Sequence, residues 1–108
     1  MFSLKISPEA DSDLREIQKY ISFELENPSA AQNVVSNILK AVRSLEMFPD
    51  RGNPLNTIVD IKTDYRFLVS GKYIVFYRTD DKFVYIIRIL YGKRDYIRML
   101  FPQQFDGT

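Results

Sequence analysis

The apolar positions change their spacing twice along the chain. Phe2, Leu4 and Ile6 alternate with Ser3 and Lys5, the period of two that marks a short strand. Ser7-Pro8-Glu9 then reads as a helix start: Ser caps, Pro fits the first helical position, and Glu9, Asp11 and Asp13 suit the positive end of the helix dipole. Ala10, Leu14, Ile17, Ile21 and Leu25 follow at steps of four and three and line one helix face. Asn27-Pro28 repeats the start signal, and Ala31, Val35, Ile38, Val42 and Leu45 form a second stripe. The run from Pro49 to Pro54 stops that helix. Each helix reads as about 19 residues, roughly 28 Å at 1.5 Å per residue. The link around Asn27 is so short that the two must lie antiparallel, as an αα-hairpin. Tyr20 and Phe23 fall off the stripe and are free to meet a partner.

Residues 55–63 mix polar and apolar and read as loop or a weak edge strand. After them the period returns to two. Residues 65–69, 73–78 and 83–90 are rich in β-branched and aromatic residues and are parted by Ser70-Gly71 and Asp80-Asp81, which predicts an antiparallel meander. The last of these is almost continuously apolar and reads as a central strand covered on both faces. The order is β-αα-βββ, an α+β domain in which an antiparallel sheet packs against a long αα-hairpin. Residues 1–101 read as one domain. Residues 102–108 read as a flexible tail that Phe101 and Phe105 could dock.

Composition narrows the chemistry. The 108 residues include no His and no Cys, which removes imidazole bases, thiolate nucleophiles, disulfides and the usual transition-metal ligands. No cofactor and no metal is expected. No apolar run approaches the roughly 18 residues of a membrane span, and the N-terminus lacks a signal-peptide layout, so the expectation is a cytoplasmic protein with no membrane role. The net charge of +1 conceals a division. Residues 1–61 carry six basic and nine acidic side chains, whereas residues 62–98 carry nine basic and four acidic. The basic half suits an anionic partner; the plainer reading is an ordinary solvated sheet face.

The stretch Arg88-Ile89-Leu90-Tyr91-Gly92-Lys93-Arg94-Asp95-Tyr96 concentrates the remaining chemistry. Arg88 interrupts an apolar strand and needs a carboxylate partner or an exit to solvent. Arg88, Lys93, Arg94, Tyr96 and Arg98 form the candidate contact set for a target or a nucleic acid, because Arg and Lys bind phosphate and Tyr stacks on bases. The alternative is a set of ordinary charges near the chain end. An Arg/Lys/Tyr set can also cleave RNA. The 2′-OH supplies the nucleophile, so the protein needs mainly to position and stabilise charge.

Across roughly residues 2–101 the chain resembles the RelE/ParE superfamily of bacterial toxins. The resemblance rests on Ala10-x-x-x-Leu14-x-x-Ile17-x-x-Tyr20-Ile21, Asn27-Pro28-x-Ala30-Ala31, Phe48-Pro49-x-x-Gly52, Tyr65-Arg66-x-Leu68, Tyr73-x-Val75-Phe76-Tyr77 and residues 87–95. The long hairpin, the Phe48-Pro49 segment and the Arg88–Asp95 run place it nearer the ParE-type, plasmid-stabilising branch. That resemblance implies the toxin of a type II toxin–antitoxin module. Its implied target is DNA gyrase, and its implied partner is a cognate antitoxin with an acidic, partly disordered C-terminal segment. The alternative it implies is a RelE-type endoribonuclease cutting mRNA on the ribosome. For that activity Arg66, Arg94 and Tyr91 would be the catalytic set. Leu68, Ile74 and Leu100 stand where a Lys, an Arg and a late Tyr would be expected, and the branch that uses a C-terminal His-Tyr pair is excluded by the absence of His. An aliphatic side chain cannot stabilise a pentavalent phosphate.

Overall fold

In the computed structural model, residues 1–104 are described. Strand β1 (Ser3–Ile6) leads into helix α1 (Pro8–Lys19). The Ser7 hydroxyl accepts the Ala10 N–H at 3.0 Å and donates to the Ile87 carbonyl at 2.8 Å, so one cap also ties the helix to the sheet. Helix α2 (Pro28–Ser44) starts at the predicted place, with the Asn27 side chain accepting the Ala30 N–H at 3.1 Å.

Between the helices the structure departs from a plain hairpin. Tyr20–Glu24 form a π-helical turn, with Leu25 N–H donating to the Tyr20 carbonyl at 3.2 Å. The chain then reverses through Glu26, a non-glycine residue at φ 49°, and Asn27 N–H closes back on the Ile21 carbonyl. A left-handed residue with a Cβ is disfavoured by about 1–2 kcal/mol. The wider turn keeps Ile21 buried while Leu25, the last residue of the predicted stripe, is exposed.

Strand β2 (Asn53–Pro54) precedes a 3₁₀ turn at Leu55–Thr57, then β3 (Arg66–Ser70), β4 (Tyr73–Thr79), β5 (Phe83–Tyr91) and a short helix α3 (Tyr96–Leu100). The five strands lie in the order β1-β5-β4-β3-β2. Pairing is antiparallel except at one junction: β1 runs parallel to β5, with Ile6 opposite Ile86. The sheet is therefore mixed. Its covering by a hairpin on one face is as the sequence pattern predicts. A bulge at Ile87, where β4 passes from Phe76 to Tyr77, adds one residue to β5.

Ala10, Ile38, Val42 and Leu45 pack on Val75, Tyr77, Val84, Ile86 and Ile89 to form the helix-side core. On the other face Leu55, Leu100 and Phe101 cover Phe76 and Leu90. So β5 is buried on both faces, and α3 with the 55–65 segment provides the second cover. Phe101 stacks on Tyr65 with centroids 5.4 Å apart. The proposed tail divides here: residues 102–104 form a 3₁₀ turn, and the rest, including Phe105, lies outside the described residues. Among the described residues no helix is long and apolar enough to cross a membrane.

Candidate functional site

A groove of about 820 Å³ opens between the hairpin and one end of the sheet. The helices supply its apolar floor through Ile17, Ile21 and Val34, with Tyr20 and Leu25 of the reversal at the rim. The sheet supplies the turn Ser70-Gly71-Lys72-Tyr73 and, beside it, Leu90, Tyr91 and Arg94. Gly71 takes φ 59°, which makes that turn tight, and the Lys72 carbonyl accepts the Gly92 N–H at 2.8 Å. Tyr73 and Tyr91 meet edge to face with centroids 5.7 Å apart. Burial, together with the Tyr91 and Tyr20 hydroxyls nearby, pushes the Tyr73 phenol above its ordinary value. Tyr73 therefore stays protonated at neutral pH and is no proton acceptor there. The groove thus pairs an apolar, aromatic interior with two cations, Lys72 and Arg94, at its sheet end.

Beside the groove, behind Asp13 of its lining, Arg88 has found the carboxylate its strand position demanded. Its Nε and Nη2 donate to Asp13 at 2.8 Å each, and Asp13 also accepts the Ile89 N–H at 2.9 Å. Strand β1 ends opposite Ile86, so the edge of β5 beyond that point is open, and Asp13 fills the place a neighbouring strand would take. Asp13 is 7% exposed. Hydrogen bonding to Asp13 holds Arg88 more firmly charged, against the opposing effect of burial. The guanidinium fork of Arg88 is thereby engaged within the fold. Asp13 went unremarked as a partner in the sequence, although it follows Ala10 by three and precedes Ile17 by four, which puts a carboxylate on the apolar stripe.

Arg66 lies elsewhere. It pairs with Tyr77 at one end of β3 and β4, whereas Tyr91 pairs with Tyr73 four residues further along β4. At 3.3 Å per residue the two ends are about 13 Å apart along the strands. Arg66 Nη2 donates to the carbonyls of Gly52 at 2.6 Å and Asp50 at 3.2 Å. The buried Tyr77 hydroxyl completes this latch by donating to the Pro49 carbonyl at 2.8 Å and accepting the Gly52 N–H at 2.9 Å. A Cβ on Gly52 would sit 2.4 Å from the Phe67 carbonyl, so only glycine fits. Arg94 and Tyr91 meet in the groove; Arg66 does not join them.

The remaining predicted residues, Lys93, Tyr96 and Arg98, do not line the groove. Lys93 and Arg94 are exposed. Arg98 pairs with Asp95 at 2.9 Å, and Tyr96 packs on Phe76 with centroids 5.1 Å apart, which turns its ring into core. Lys72, Tyr73 and Glu16 are not site residues by sequence alone; only the fold brings them to the groove.

The family model for the ParE toxin of type II toxin–antitoxin systems matches residues 4–96. The chain belongs to the ParE toxin family. A chromosomal ParDE toxin–antitoxin system from P. aeruginosa contains a similar chain, 25% identical, with TM-score 0.72 over 86% of this chain and 98% of that one. A chain of the RelBE2 toxin–antitoxin complex from Mycobacterium tuberculosis, 19% identical, shares the fold with TM-score 0.62 over 83% of this chain and 96% of that one. No curated protein sequence matches significantly. The ParE toxin fold therefore accounts for the element order. Among the described residues no group of three or more His, Cys, Asp or Glu is placed to hold a metal ion.

Proposed function

We propose that this type II toxin acts by binding, with DNA gyrase as its target, in the cytoplasm, and that its module stabilises the plasmid or locus that carries it. The observation that carries this reading is the separation of Arg66 from Arg94 and Tyr91. A ribonuclease needs its cations on one phosphate, and here one of the two, Arg66, is spent on two backbone carbonyls at the far end of the sheet. The aliphatic Leu68, Ile74 and Leu100 argue the same way. Membership of the ParE toxin family and the likeness to the P. aeruginosa ParDE chain support a binding role further.

The partner that restrains it is a cognate antitoxin. Its C-terminal segment, acidic and ordered only on binding, fits the groove: Ile17, Ile21 and Val34 take its apolar side chains, and Lys72 and Arg94 meet its carboxylates. Held there, it covers Tyr91 and Arg94 and blocks the exposed end of the sheet.

Supercoiling of relaxed plasmid by gyrase, with the purified antitoxin-free chain titrated in, tests the target. Loss of supercoiling or trapped cleaved DNA is expected. Normal supercoiling with a folded sample that still arrests growth would overturn the gyrase reading. Cut mRNA on purified ribosomes would then establish the ribonuclease in its place.

A further inference from the structure

We propose that the outward groove of the helical hairpin is a second docking surface, one that takes an acidic amphipathic helix of a partner protein. This groove, of about 640 Å³, lies on the side of the hairpin away from the sheet. It is distinct from the sheet-side groove: α2 turns Ala30, Val34 and Asn37 toward the sheet and Gln32, Val35 and Leu39 outward.

Three observations identify the occupant. The first is the floor. Val35 and Leu39 sit only half-buried along its length, where a helix with no partner ordinarily presents polar side chains. The second is charge. From Pro28 to Ser44 the helix has no carboxylate at all, and its only charges, Lys40 and Arg43, both line this groove and are exposed. The dipole accounts for a cation in the last turn. It does not account for the want of any acid over four turns, or for both cations sharing one groove. The third is shape. Gln32 to Arg43 spans about 16 Å, three turns of α2, with Gln18 and Ser22 as the facing wall at one end, and a partner helix laid along α2 packs as a ridge into a groove. Gln18 and Gln32 along the walls offer amides to its polar edges. A nucleic acid is the poorer fit: two cations neutralise few phosphates, and no aromatic ring lines the floor for a base to stack on.

The inference holds whatever the toxin's target, and its test needs neither gyrase nor antitoxin. Two labelled helical peptides of about four turns are made, each with a leucine stripe, one flanked by glutamates and the other by lysines. Their binding is followed by fluorescence anisotropy. The glutamate peptide should bind the full chain and lose about tenfold or more in affinity to the Lys40→Glu/Arg43→Glu variant. Because the sheet-side groove also suits acidic chains, the comparison is repeated in the Lys72→Glu/Arg94→Glu background, where the loss on changing Lys40 and Arg43 should persist. The lysine peptide should prefer the Lys40→Glu/Arg43→Glu variant. A milder Lys40→Gln/Arg43→Gln variant, with thermal unfolding of each protein, separates lost binding from lost fold. The proposal is overturned by any of four results: no binding to the folded parent, equal binding to the Lys40/Arg43 variants, loss only on changing Lys72 and Arg94, or displacement of the peptide by single-stranded oligonucleotide.

Discussion

The two ends of strands β3, β4 and β5 carry similar residues to opposite effect. At one end Arg66 Nη2 and the Tyr77 hydroxyl are spent on the backbone of residues 49–52, and Asp80 spends its carboxylate on the turn that follows β4. At the other, Lys72, Tyr91 and Arg94 stand around an open groove. An arginine in a strand is thus neither structural nor functional by type. Nearby carbonyls decide. Where a loop doubles back and leaves its carbonyls unpaired, the guanidinium closes it. Where the turn is tight and satisfied by its own backbone, as at Gly71 and Gly92, the cation stays available.

The boundary between the two ends is the Asp13–Arg88 pair, and removing it should have the largest effect. Asp13→Ala strands a part-buried guanidinium and the buried Ile89 N–H together, and is expected to lower stability by about 3 kcal/mol in urea unfolding. Replacing Tyr77 with Phe leaves the Pro49 carbonyl and Gly52 N–H without partners and should lower it by about 1–3 kcal/mol, by the same measurement.

Asp80 is the smallest contributor at the latched end. Its hydrogen bond from the Tyr85 hydroxyl, then those from the Lys82 and Phe83 N–H groups, lower it from 3.8 to about 2. A lowered carboxyl stabilises the fold above its ordinary value, and that contribution fades as pH falls toward its folded value. Asp80→Asn should therefore lower thermal stability at pH 7, where the carboxylate's contribution is full, and differ least from the parent at pH 2, so that the loss seen between pH 4 and pH 2 narrows. At the open end, Lys72→Glu/Arg94→Glu should leave stability within about 0.5 kcal/mol of the parent while weakening antitoxin binding, read by calorimetric titration.

Much of the fold was legible because its signals are local. Ser7 and Asn27 announced both helices with their caps, and Gly71 marked the meander turn. The parallel partner of β1 was not legible. Alternation says that residues 2–6 form a strand, and nothing in it says which strand they join. The π turn was hidden too, since the steps of four from Ile17 to Leu25 suit an α-helix stripe equally well. The groove is assembled from α1, α2, the β3–β4 turn and the end of β5, so Lys72 and Tyr73 acquire their place only through the fold. Arg88 was the instructive case. Its apolar strand demanded a partner, which the sequence left unnamed, although a carboxylate on the apolar helix stripe, Asp13, carried the signal.

The division of labour between the two arginines is tested most directly by measuring Arg66→Gln and Arg94→Glu side by side, for urea unfolding and for growth arrest. The account predicts that Arg66→Gln loses about 1–3 kcal/mol of stability yet arrests growth wherever it remains folded. Arg94→Glu should unfold like the parent and lose its toxicity. An Arg66→Gln chain as stable as the parent but no longer toxic would contradict it, and would return Arg66 to a catalytic role.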